Sequence, residues 1–541
     1  MKNFRNIVLT AAMVATVGML RAAEMNVPGQ RGEKWWGIYV GNTPPQPFSH
    51  PFTVTTGRIV AGGFTTPLLI SSLGRYVWCP VDTEVNFDGA ALRLSYDGVR
   101  PELVDAGRTL RDAYRAACHK YFPPDSTAAP AVEFYSTPLY DTSLEFGPLP
   151  SQQGVVAYAE RLLREGFPKG IILIGDGWSE TAGTYTFLAG AFPDPKGMVD
   201  RLHELGFKVM LTVTPYAALS GRIYSENLRR GFLLRDELGP TVVVGGDGGY
   251  LSVYDLSDSR QFDYVSGALE RLKSDYGIDG LRFGDPQLPS SSLFASSLPA
   301  ADSAAEHPAA QGADFMARWL ALGQNMKLVE YCPGEGHPST PYVNVIVGWG
   351  IPKSTQSSPA LLSGLLPAAI NTLVAGSLNG FNACRYLPCA PADTAALFSH
   401  QWLMARMLQL QIISPLPTVG FAPWRVTDKA LYDAVKKCVD WRVSIAGYMA
   451  DLYKECLHSG EPMVRQMEYM FPHDGFADCD DEFMLGSRYL CAPFFEGEGR
   501  RLVRLPRGQW LDCNGKKHRG PVVLTVKQGD GFAPIFELIP K

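Results

Sequence analysis

The alternation of apolar and polar positions changes character twice along the chain. Between residues 34 and 105, short β-like runs (36–40, 52–55, 68–70, 76–78 and 91–95) are separated by turn residues. That is the pattern of an all-β domain such as a β-sandwich. From about residue 150 the rhythm becomes strand, loop, helix. Apolar strands are predicted at 170–174, 208–213, 278–283, 326–331, 343–347 and 378–383. Amphipathic helices are predicted at 155–165, 198–206, 260–276, 315–325 and 361–373. Buried apolar strands alternating with amphipathic helices mean parallel βα units. Seven or eight of them suit a closed (β/α)8 barrel better than an open sheet. After a helical stretch at 427–457, β-like runs return at 489–493, 502–505, 522–526 and 532–538.

The predicted fold class is therefore α/β, a (β/α)8 TIM barrel with an N-terminal β-sandwich domain and a C-terminal β-domain. The expected divisions are a signal segment at 1–23, the sandwich-like domain at 24–145, the barrel at 146–475 and the C-terminal domain at 476–541. The Ser-, Ala- and Pro-rich stretch 286–313 reads as a long loop after the fourth strand, where barrels shape their mouths.

Lys2 and Arg5 precede an apolar run at 7–20 that ends near Ala22-Ala23. A basic start, a run shorter than the roughly 20 residues of a membrane span, and small residues after it predict a secretory signal. The expected location is secreted or periplasmic, with no stable membrane insertion once the signal is removed. A net charge of −5 gives no electrostatic reason for a nucleic-acid partner. With 46% apolar and 19% charged residues, a largely disordered chain is excluded. Ten cysteines lack any CxxC pair and nine histidines lack HExxH, so no metal site is expected. There is no GxSxG and no Walker loop, and Gly245–Gly249 does not complete a dinucleotide fingerprint.

Barrel chemistry gathers at the C-terminal ends of strands. After 170–174 stand Gly175-Asp176-Gly177-Trp178; after 278–283 stand Gly284-Asp285-Pro286; Glu330 lies just inside the next strand, with Glu335 beyond it. Trp349 follows the strand after that, and Trp424 stands near the last. A carboxylate accepts sugar hydroxyls and an indole stacks on a sugar's apolar face, so Asp176, Trp178, Glu330, Trp349, Arg282 and Trp424 are candidate substrate contacts. Glycosidases place two carboxyl groups across the scissile bond, which makes Asp285 and Glu335 the candidate catalytic pair. Any single Asp at a strand end is also a plausible helix cap.

Taken in order, several segments resemble glycoside hydrolase family 31, the α-glucosidase and α-xylosidase family. They are 166–178, ending in Gly175-Asp176-Gly177-Trp178; 192–199; 202–211; 276–283, ending in Leu281-Arg282-Phe283; Pro423-Trp424-Arg425; 460–465; 481–486; and 505–512. The likeness spans about residues 150–525. It implies a retaining α-glycosidase with an Asp nucleophile and an Asp acid/base, an oligosaccharide or glycoside substrate, and no cofactor. This chain departs from the family pattern at the acids. The family's nucleophile stands two positions after the basic strand-end residue, and here that position is Gly284, with Asp285 one further on. Asp285 is then either a shifted nucleophile or part of a Gly-Asp-Pro that follows a deleted one. The acid/base follows the sixth strand in the family, yet no Asp or Glu occurs between Glu335 and Asp393. Two readings follow: a glycosidase of unusual site chemistry using Asp285 and Glu335, or a degenerate barrel that binds carbohydrate without hydrolysing it.

Overall fold

The computed structural model describes residues 23–540 apart from 42–44, 61–62, 125–130, 220–221, 237–238, 247–248, 285–293, 296–314, 316, 324–325, 332–344, 349–358, 382–383, 388–396, 496–498 and 528–531. The expected signal segment lies almost wholly outside the described residues. Among the described residues, no helix is long and apolar enough to cross a membrane.

Two antiparallel sheets form the N-terminal unit, and period-2 alternation explains how they stack. Trp35, Ile38, Leu69 and Val77 point into a core shared with Val85, Leu92 and Leu94 of the facing sheet. Their chain neighbours Trp36, Leu68, Ile70 and Tyr76 point the other way, into the large core that includes the barrel. One sheet thus serves two cores, which is why its strands read as nearly continuous apolar runs.

Eight parallel strands make the barrel: Leu139–Asp141, Ile171–Ile174, Lys208–Val213, Gly280–Phe283, Leu328–Tyr331, Val345–Gly348, Cys384–Leu387 and Thr418–Val419. Each pairs in parallel with the next through the seventh, the eighth pairs back onto the first, and the seventh lies beside the eighth. Helices cover the outside, and their ends follow capping chemistry. Gln152–Arg164 is capped by Ser151, and its buried Val155, Tyr158, Ala159 and Leu162 form one face. Pro195–Leu205 begins at the Asp194 cap, with Pro at its first turn, and ends at Gly206 in the left-handed region. Two later helices, Lys429–Ser444 and Ala446–Ser459, lead into a six-stranded C-terminal sheet that starts with Val464–Gln466.

Three expectations change. The first barrel strand lies upstream of residue 146, and the C-terminal sheet begins upstream of residue 476. In the expected strand at 378–383, the described residues are instead the end of a helix, Pro359–Leu378, and a turn at 379–380. Gly380, with φ +88, stops the helix, and the strand begins at Cys384.

Candidate active site

The barrel's alternation decides which strand-end residues meet. Arg282 and Glu330 are register partners on the fourth and fifth strands, so their side chains share a face. Their neighbours Phe283 and Tyr331 stack on the opposite face with ring centroids 5.0 Å apart, and Trp319 of the outer layer packs on Phe283. Arg282 therefore points into the ring. There it donates to Asp141 at the end of the first strand and, through Nε at 3.2 Å, to Glu330 Oε2. All three are buried: Asp141 is 3% exposed, Arg282 5% and Glu330 0%. Burial would push the Asp141 carboxyl up, but the Arg282 charge and the hydrogen bonds from Ser143 outweigh it and hold it below the usual range.

Asp176 sits at the mouth on the loop after the second strand. Two glycines let the loop pass there. A Cβ at Gly175 would meet Ser143 Oγ at 2.3 Å, and one at Gly177, whose φ is +91, would meet the Pro148 carbonyl at 2.2 Å. Asp176 reaches solvent but is walled by protein. Burial raises its pKa above the usual carboxylate range; the Arg282 charge opposes this and the Asp141 charge adds to it. It thus shares the electrostatic field of the buried triad. Gly284, just past the fourth strand, is fitted against the third: its N–H donates to Val213 O at 2.7 Å, and a Cβ would strike Thr214 Cγ2.

The other expected contacts fall differently. Trp178 is 2% exposed, its Nε1 donates to Thr212 O at 2.7 Å, and Phe187 packs edge-on at 4.9 Å. It locks the second strand's loop onto the third strand and presents no open face to a sugar. Trp424 lies on the 3-10 turn Pro423–Arg425, between Tyr158 at 5.1 Å and the Arg161 guanidinium at 4.3 Å. Those neighbours belong to the outer helix, so its ring serves packing there. Asp285, Glu335 and Trp349 lie outside the described residues. Asp141 was missed because its three-residue strand is too short to carry a periodic signal; the acid directly after Leu139-Tyr140 was the available clue. Among the described residues, no cluster of three potential metal ligands occurs.

An inward guanidinium holding two buried carboxylates beneath a more open one is a polar floor suited to a hydroxyl-rich ligand. Residues 142–329 match the model described as glycosyl hydrolases family 31 TIM-barrel domain, and residues 460–537 match the glycosyl hydrolase family 31 C-terminal domain. The chain is 24% identical over 444 residues to the myogenesis-regulating glycosidase of Mus musculus, covering 79% of this chain and 59% of that protein. It is 24% identical over 354 residues to alpha-xylosidase XylQ of Lactiplantibacillus pentosus, covering 61% of this chain and 43% of that one. The chain thus spans little more than half the length of these curated relatives, or less. A family 31 dextranase of Flavobacterium johnsoniae complexed with isomaltotriose superposes with a TM-score of 0.77 at 15% identity, covering 95% of this chain and 66% of that one. A soil-metagenome alpha-xylosidase complexed with xylose superposes at 0.75 and 18% identity, covering 96% and 79%.

Proposed function

The chain belongs to glycoside hydrolase family 31, and from that premise we propose that it is an exported glycosidase that cleaves α-linked sugars with retention. The carrying observation is the open Asp176 beside the buried Asp141–Arg282–Glu330 triad at the C-terminal end of the ring. Asp176 accepts hydrogen bonds from sugar hydroxyls. Arg282 acts through its neighbours, fixing two carboxylates and the end of the strand that leads to Asp285.

In the proposed reaction, Asp285 attacks the anomeric carbon as the glycosidic bond breaks, and Glu335 protonates the departing oxygen. Water, deprotonated by Glu335, then releases the sugar from Asp285 with the anomeric configuration restored. A carboxyl of ordinary pKa is mostly ionised at neutral pH, so this donor must be raised by burial to serve. Export rests on Lys2, Arg5 and the apolar run at 7–20.

The test is a panel of aryl α-glycosides, α-xylosides and α-glucosides included, whose good leaving groups reduce the need for an acid. Wild-type protein should turn over at least one, with the α-anomer as first product by NMR, and Asp285→Ala should lose this activity. The absence of Asp and Glu between Glu335 and Asp393 favours a second reading, a barrel that binds without cleaving. That reading prevails if no aryl α-glycoside is cleaved while free sugars still raise the melting temperature.

A further inference from the structure

The C-terminal sheet ends in a long two-stranded ribbon. Arg500–Asp512 pairs antiparallel with Lys517–Lys527, the outermost strand of the sheet. Between residues 500 and 527 stand eight Lys and Arg against one acid, Asp512, in a chain whose net charge is −5. Period-2 alternation sorts the side chains by face. Val503, Leu505 and Trp510 enter the domain's core. Leu502, Gln509, Lys517, Arg519, Val523 and Thr525 lie on the outward face and are exposed.

Two of the cations serve the fold. Arg501 is buried and donates to the Asp481 carbonyl, and Arg504 lies over the Phe476 ring at 5.4 Å. Four others, Arg507, Lys516, Lys517 and Arg519, stand exposed toward the ribbon's tip. Asp512 is already engaged there: its Oδ2 lies 2.9 Å from His518 Nε2, and its Oδ1 accepts from the Asn514 and Lys516 N–H groups. Glu496, Glu498 and Asp530 adjoin the ribbon's other end in the chain. At about 3.3 Å per strand residue, Arg507 is roughly 23 Å along the strand from Arg500, and Arg519 roughly 26 Å from Lys527, several screening lengths of about 8 Å at physiological salt.

Charges and a proline on an edge strand guard against pairing with another chain, which accounts for Lys517, Arg519 and Pro521. It does not account for Arg507 on the inner strand or Lys516 in the turn. Nor does it account for Leu502 and Val523, 62% and 59% exposed on the same outward face. Aliphatics exposed among cations fit a bilayer surface, where cations meet lipid phosphates and the aliphatics enter the interface. Single strands of nucleic acid stack on aromatic rings, as sugars do, and the outward positions of this ribbon carry no aromatic residue. We propose that the outward face of the ribbon docks the protein on an anionic lipid bilayer, with Arg507, Lys516, Lys517 and Arg519 against the headgroup phosphates. This surface belongs to the C-terminal domain and needs nothing from the chemistry of the barrel.

The test is sedimentation of the full chain with vesicles of phosphatidylcholine, alone or with one lipid in three replaced by phosphatidylglycerol. Wild-type protein should bind the phosphatidylglycerol vesicles more tightly and lose that preference at high salt. Lys517→Gln combined with Arg519→Gln should weaken this binding roughly 25-fold, from a factor of about five per cation, with the melting temperature unchanged. Lys429→Gln combined with Lys454→Gln removes the same charge from exposed helix positions and should leave binding within about twofold. The apolar run at 7–20 is common to all these proteins, so the differences report the ribbon. No preference for phosphatidylglycerol, equal binding by wild type and the ribbon variant, or an equal loss in the helix variant overturns the proposal. So does retention of a soluble polyanion, dextran sulfate, without binding to the vesicles. If the ribbon variant fails to fold, Arg507→Gln combined with Lys516→Gln takes its place under the same criteria.

Discussion

Replacing Arg282 by Met removes the cation bonded to both Asp141 and Glu330, carboxylates that are 3% and 0% exposed. Breaking a buried pair from one side leaves an uncompensated charge and costs about 3–5 kcal/mol. At roughly 2–3 °C per kcal/mol for a chain portion of this size, the melting temperature should fall by about 10 °C at pH 7.5. The pH dependence gives a sharper check. In the wild type Asp141 is held below its unfolded value of about 3.9, so its contribution is present above that pH and is lost as pH falls through the folded pKa. Without Arg282, burial prevails and the folded pKa rises above about 3.9. The folded variant then binds the extra proton, and its deficit shrinks as pH falls from 7.5 toward 5. Differential scanning fluorimetry of both proteins at pH 5, 6.3 and 7.5 measures this. A variant within 2 °C of wild type at pH 7.5, or a deficit that widens as pH falls, refutes the argument. Arg282→Lys should recover only part of the loss, because one ammonium cannot reproduce the fork that reaches two strands.

Other outcomes follow from single contacts. Asp176→Asn should lower kcat/KM about 10- to 100-fold on aryl α-glycosides, the scale of a lost charge-assisted hydrogen bond, while moving the melting temperature little. Trp178→Phe should do the opposite, leaving KM within about twofold but lowering stability by about 1–3 kcal/mol, because Thr212 O loses its donor. Gly177→Ala should reduce both expression and activity, since its φ of +91 and the Pro148 carbonyl leave a side chain no room. Glu482, buried and with no partner for Oε2 among the described residues, is pushed up to about 7 by burial, against an unfolded value of about 4.3. Its folded state therefore binds the extra proton, so it erodes stability as pH rises from about 4.3 to 7, and Glu482→Gln should flatten that decline in melting temperature.

The barrel was legible where strands were long enough to show their character. Lys208–Val213 and Gly280–Phe283 follow amphipathic helices and stand out as apolar runs. Leu139–Asp141 and Thr418–Val419, which close the ring, are too short for any period to appear. The buried helix Gln401–Ile413 escaped for a different reason: enclosed on every side, it has no polar face to alternate with an apolar one.

Chain order alone determined the alternating architecture, the family likeness and the presence of Asp176, Arg282 and Glu330 at strand ends. Local sequence sufficed for these because periodicity, caps and glycine turns are short-range properties. Partnership was decided only in three dimensions. Closing eight strands into a ring brings Asp141 to an arginine 141 positions away, and the register of two neighbouring strands delivers Glu330. The same closure turned Trp178 inward to the Thr212 carbonyl. A strand-end indole can stack on a ligand or bolt a loop in place, and what separates the two is which backbone acceptor lies across the sheet.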